Sequence, residues 1–364
     1  MLRFFLSLAA VLIAIAPAGA EEGSKDFPYA ALNRALTERV VLPAYAKLTP
    51  AMERLAQASE TFCIDPPTGG YAGLVAIFHG AMDAWQHAQP IAFGPIAADG
   101  RAARIEFWPD TGGSTDRQIR RVLSEKPLAL IAPGGLDGKS VALQNLATYE
   151  RLLAEHAARL VAGSGTDEDR YACLWMVEIA RFQMRLAASV ERDWTNGYAA
   201  TVLGAEQGNA IYANARAATT DYLKSLVGSL DSIVRQKLER PMDASVAKAR
   251  AARAESWRTK RSLANIVANL ETARALFAAP DGFGDLLTAA GSGPLAAGMR
   301  DGFDAAIAAA RGLGKPLEDA VGDTHIRPRL DDLVRQIKAL RTLMAGPLAS
   351  ETGLVVGFNS LDGD

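Results

Sequence analysis

Residues 167–193 read DEDRYACLWMVEIARFQMRLAASVERD, and the apolar members of this stretch fall at helical intervals. Trp175, Ile179, Phe182, Leu186 and Val190 recur every three or four residues, which puts them on one face of an α-helix. The break Gly163-Ser164-Gly165 stands before it. Two other stretches show the same period: Leu263, Ile266, Leu270 and Phe277, then Leu330, Leu333, Ile337, Leu340 and Met344. Ala, Leu, Arg, Glu and Gln dominate most segments, and period-two runs of Val, Ile, Thr and aromatics are almost absent. The chain is therefore expected to be all-α.

Outward from that helix, the sequence predicts helices over 27–61 with a kink at Pro43, 71–89, 116–124, 140–156 and 167–193. A second set is predicted over 213–239, 254–278, 295–311 and 317–344, with Pro328 kinking or splitting the last. Breaks fall at Pro241, Pro280-Asp281-Gly282 and Gly312–Gly314. Four main helices in each half suggest two packed four-helix-bundle-like domains, 21–205 and 206–364.

The first twenty residues hold one charge, Arg3, then an apolar run from Phe4 to Pro17 and the small residues Ala18-Gly19-Ala20. This is the layout of a cleavable secretory signal, so residues 1–20 are set apart and the mature chain is expected in the periplasm. No later window is apolar for long enough to span a bilayer. With Arg3 removed the net charge moves from −2 to about −3, both signs interspersed, and nothing there attracts nucleic acid. Cys63 and Cys173 are the two cysteines. In an oxidising compartment such a pair forms a disulfide or stays as two buried thiols; the disulfide is the reading adopted.

Helix 140–156 carries Ala142-Leu143-Gln144-Asn145-Leu146-Ala147-Thr148-Tyr149-Glu150. This stretch resembles the imelysin family, whose motif is Gly-x-His-x-x-Glu. Asn145 stands at the Gly, Ala147 at the His and Glu150 at the Glu. Other strings are similar to the family's periplasmic branch: Ala84-Trp85-Gln86-His87 leading to Phe93-Gly94-Pro95, and Ile105-Glu106-Phe107-Trp108-Pro109-Asp110. So are Glu255-Ser256-Trp257-Arg258, Arg261-Ser262-Leu263-Ala264-Asn265-Ile266, and the closing Gly357-Phe358-Asn359 and Asp362-Gly363-Asp364. The resemblance implies two helical bundles with a site between them and a role near iron uptake, with iron or another divalent metal as cargo or cofactor. It also carries an older metallopeptidase label.

Glu150, Trp85, Glu106, Trp108, Asp110, Trp257, Arg258 and Ser262 are the candidate ligand-binding residues. Asp110 and Glu106 offer oxygen ligands, Trp108 can wall a pocket, and Arg258 can clamp a carboxylate or neutralise Glu150 across the interface. His87, Glu150, His79 and Asp83 are the candidate metal ligands. His79, Asp83 and His87 lie at i, i+4 and i+8 on one helical stripe, but about 12 Å of axial rise separates the two histidines, so only an adjacent pair could share an ion. The alternative for this stripe is a solvated face.

Ala147 offers no ligand atom, Glu150 alone cannot hold a catalytic zinc, and His-Glu-x-x-His is absent. No nucleophile elbow, phosphate loop or dinucleotide fingerprint occurs either. These absences weigh against catalysis, and the resemblance implies as the expected function a binding protein that meets a metal ion or small ligand and a periplasmic or outer-membrane uptake component. A metallopeptidase and a protein-binding scaffold are the alternatives.

Overall fold

The computed structural model describes residues 27–355. The expected signal peptide and the two closing strings after residue 356 lie outside the described residues. Among the described residues the chain forms helices and turns and no strand.

Helix α1 runs over 29–64 and α2 over Gly70–Ala88. After a connection containing the short helix Arg101–Ile105 come α3, Ser114–Glu125, and α4, over 146–161. Helix α5 covers 167–203, and α6 covers 215–242. The main helices that follow are α7, Ser262–Ala278, α8, Phe283–Ala289, α9, Gly293–Arg311, and α10 over 327–351.

Several boundaries move for identifiable reasons. The kink expected at Pro43 takes the form of a widened π turn at Thr37–Val41, just before the proline. A wider turn at this point eases the clash a proline ring makes with the carbonyl four residues before it. Pro328 occupies the first turn of α10, where a missing N–H has no helical partner to lose, so the helix expected over 317–344 is split into Leu317–Ala320 and α10. The helix expected from residue 140 starts at Leu146, because Asn145 caps it, its side chain accepting from the N–H groups of Ala147 and Thr148 at 2.8 and 3.2 Å. Helix α8 was not anticipated, since seven residues with Phe283, Leu286 and Leu287 all buried are too few to show a period.

Helix α5 is held first by its own start. The Thr166 hydroxyl accepts from the Asp169 N–H, and the Asp169 carboxylate accepts from the Thr166 N–H at 2.9 Å. Such a reciprocal cap contributes about 1 kcal/mol. Packing contributes more: Trp175, Ile179 and Val190 are fully buried, and each such side chain is worth roughly 1.5–3 kcal/mol. That apolar face lies against α1, which is joined covalently to α5 by the Cys63–Cys173 disulfide, Cα–Cα 5.6 Å.

Both halves are stitched together by early helices. Helix α2 packs against α7, and the first turns of α1 pack against α6. Buried apolar side chains form one continuous cluster from Leu32 to Leu354. No helix among the described residues is long and apolar enough to cross a membrane.

Candidate functional site

Where α4 begins, it faces the irregular segment that precedes α7, and Glu150 crosses the junction. Its Oε1 accepts from both the N–H and the hydroxyl of Thr259, each at 2.8 Å. Oε2 takes neither bond, and Glu150 lines a cavity. Burial pushes the Glu150 carboxyl up to about 7, further raised by Glu318 and opposed by the Thr259 bonds and Arg258. At neutral pH it is therefore poised between acid and carboxylate.

Thr259 belongs to a single helical turn, Trp257–Thr259, flanked by Ser256 at φ +49° and Lys260 at φ +59°. Left-handed backbone at a non-glycine residue is strained by roughly 1–2 kcal/mol. It is sustained here by the Arg261 N–H donating to the Ser256 carbonyl at 3.1 Å and by Asn265 donating to the Ser256 hydroxyl at 3.2 Å. Trp257 and Arg258 thus sit on a strained turn, and the helix expected from residue 254 begins only at Ser262.

The cavity occupies about 470 Å³, within the range of small-molecule sites. Trp108, Asp110, Ala147, Glu150, Trp257 and Arg258 all line it, drawn from both halves of the chain. Arg258 lies over the Trp257 ring at 4.6 Å and donates to Glu155 at 3.2 Å. Arg258 therefore answers Glu155 by contact and reaches Glu150 only through its field. Asp110 accepts from the Thr115 N–H at 2.6 Å, which with further bonds from Ser114 and Thr115 holds its carboxyl below the usual range against the effect of burial.

Three expected ligand-binding residues lie behind the cavity rather than in its wall. Trp85 is buried, and its indole donates to Glu106 Oε2 at 2.7 Å, alongside Gln86 at 3.1 Å and Gln89 at 3.2 Å. Burial, reinforced by Glu255 and partly offset by Lys237 and Trp85, pushes the Glu106 carboxyl well above its ordinary value. The buried Lys237 ammonium donates to Gln86, Gln89 and Glu255 at 2.6, 2.8 and 2.9 Å. Ser262 is buried too and donates to Glu318 and to the Glu255 carbonyl. Trp85, Glu106 and Ser262 thereby belong to a network that bridges the two halves.

The imidazole stripe is divided. His79 lies against the Thr259 backbone, with burial and Arg261 pushing its pKa down. Asp83 instead bonds Arg261 at 2.6 Å, and His87 sits between Asp83 at 3.8 Å and Glu271 at 3.6 Å. Asp83 and His87 line a separate open depression with Lys260 and Lys315. Because α2 carries this part of the stripe onto α7, His87 does not join Glu150. No group of three or more His, Cys, Asp or Glu among the described residues is arranged to hold a metal ion.

Thr259, Arg240, Glu155 and Lys237 escaped the sequence reading. Lys237 left one trace, a basic residue set within the buried face formed by Ile233, Val234 and Leu238. Arg240 and Thr259 left none, since their placement depends on long-range packing.

An all-helical protein with a polar, aromatic-walled cavity at the junction of its two halves is thus defined. The imelysin family model matches residues 41–344, and the chain belongs to the imelysin family. It is similar to iron-regulated protein A of Synechococcus elongatus, 22% identical over 211 residues, or 57% of this chain and 53% of that protein. The chain thus spans about half the length of that relative. Its fold matches an imelysin-like protein from Psychrobacter arcticum with a TM-score of 0.75 at 17% identity, covering 91% of this chain and 97% of that one. A putative iron-regulated protein A precursor from Parabacteroides distasonis matches with a TM-score of 0.73 at 15% identity, covering 92% and 97%.

Proposed function

We propose that this protein is a periplasmic binding protein associated with the uptake of iron or another metal, and that it takes its ligand in the cavity between residues 21–205 and 206–364, read as two bundles. The observation that carries this reading is the convergence of Trp108, Asp110, Glu150, Trp257 and Arg258 on one cavity. The iron-regulated name of the Synechococcus relative supports the association with iron. Ala147 lines the same cavity with a methyl group where the family motif has an imidazole, which weighs against the metallopeptidase alternative.

Binding without turnover is the expected behaviour. Calorimetric titration of the purified protein with Fe(II), Fe(III), Cu(II) and Zn(II), each alone and with small organic anions, should give saturable binding that Glu150→Ala weakens. Chelator-sensitive cleavage of a peptide panel would instead establish the peptidase. A chelator-insensitive protein complex that survives Glu150→Ala would establish the scaffold.

A further inference from the structure

Four guanidinium groups line the cavity: Arg151, Arg240, Arg253 and Arg258. Three are already answered by carboxylates. Arg151 pairs with Asp116 and, at 3.1 Å, with Glu155. Arg253 pairs with Asp243 at 3.2 Å, and Arg258 with Glu155 at 3.2 Å.

Arg240 differs. It is half-buried, its guanidinium lies over the Trp108 ring at 5.7 Å, and among the described residues it makes no hydrogen bond or ion pair. Arg253 stands near enough to push its pKa down further, and Asp110 acts on it only at a distance. A guanidinium holds five N–H donors in a rigid fork suited to two oxygens of one carboxylate or phosphate. Lying over an indole within cation–π range and lining a cavity, that fork is partly positioned before any ligand arrives, so less side-chain freedom is lost on binding.

We infer that the cavity binds a multiply charged oxyanion of small-molecule size, with Arg240 as its anchor and Trp108 and Trp257 as its apolar walls. This inference rests on the binding reading above and names the ligand class of that site. Four guanidinium groups around one cavity offer donors to several oxygens at once, which suits a polycarboxylate or polyphosphate, free or wrapped around a metal ion. A bare cation is disfavoured by the same charges: Arg240 has no counter-ion, and Asp110, Asp116 and Glu150 are each already engaged in hydrogen bonds or ion pairs. Metal would enter as a chelate whose outer surface is negative.

The test titrates the full-length protein at pH 7 with citrate, ferric citrate, pyrophosphate, and Fe(II) or Zn(II) alone. At least one anion should bind saturably, and Arg240→Gln should weaken it tenfold or more. Arg240→Lys keeps the charge without the fork and should fall between the two. Asp110→Asn, which removes the carboxylate whose field acts on Arg240, should tighten anion binding a few-fold, so the inference does not hang on one variant's folding. Citrate against pyrophosphate separates a carboxylate ligand from a phosphate one. Anion binding equal in wild type and Arg240→Gln overturns the inference. Binding of Fe(II) or Zn(II) alone, with no anion bound, overturns it and leaves the binding-protein reading standing. Absence of all binding overturns both.

Discussion

Glu150 and Thr259, 109 residues apart, are joined by two 2.8 Å hydrogen bonds to one carboxylate oxygen, and this contact fastens α4 to the strained turn before α7. Burial at this junction pushes the carboxyl up to about 7. In the unfolded chain it titrates near the ordinary glutamate value, so folding takes up a proton between roughly pH 4.5 and 7. Stability is then fully present below that window and falls as pH rises through it, by about 3 kcal/mol from this residue. Glu106 and Glu318, also raised by burial, act with the same sign. Glu150→Gln mimics the protonated form, so its melting temperature should fall less than that of wild type between pH 5 and pH 8. Identical slopes in the two proteins would show that Glu150 is ionised in the fold throughout.

Lys237 is the cation at the centre of the bridging network and is 2% exposed. Removing one partner of a buried pair costs roughly 3–5 kcal/mol, because the other charge is left without compensation. Urea denaturation should show a loss of that size for Lys237→Met. Lys237→Met combined with Glu255→Gln should recover part of it, and a double variant no better than the single one would mean that the Gln86 and Gln89 bonds, not the charge, are what the lysine supplies.

Ala147 and Glu150 are spaced i, i+3 and both line the cavity. Ala147→His would set an imidazole on the face of Glu150. The expected result is Zn(II) affinity at least tenfold above wild type, lost again in Ala147→His with Glu150→Gln. No gain in affinity would indicate that the Thr259 bonds hold Glu150 away from any ion.

The disulfide closes a loop of 110 residues, for which the chain-entropy model gives about 4–5 kcal/mol. Cys63→Ser with Cys173→Ser should lower the denaturation midpoint accordingly and leave the ligand affinity unchanged, since neither cysteine lines the cavity. A parallel loss of affinity under native conditions would place the bridge in the site's support.

Much of the architecture was legible from spacing alone. Trp175, Ile179 and Val190 are buried on one face as their period requires, and so are Leu330, Leu333, Ile337, Leu340 and Met344. Local signals failed where a helix changes face along its length. The π turns at Leu153–Ala157 and Ile233–Glu239 each insert residues that shift the apolar stripe, and no residue type announces them. The site was legible in part for a related reason. Glu150, Asp110, Trp108, Trp257 and Arg258 stood in recognisable strings and do meet, whereas Trp85, Glu106 and Ser262 stood in the same strings and serve the bridging network. His87 and Glu150 were separated by the docking of α2 on α7, a contact between residues nearly two hundred positions apart that helical period cannot encode.

The cavity's walls come from three remote stretches of chain, the residues around Trp108, around Glu150 and around Arg258. A nascent or truncated polypeptide that stops short of Arg258 has the first two walls and no third. If the inferred anion site is right, retention on an immobilised anion would separate chains that extend past Arg258 and have closed the junction from those that stop before it.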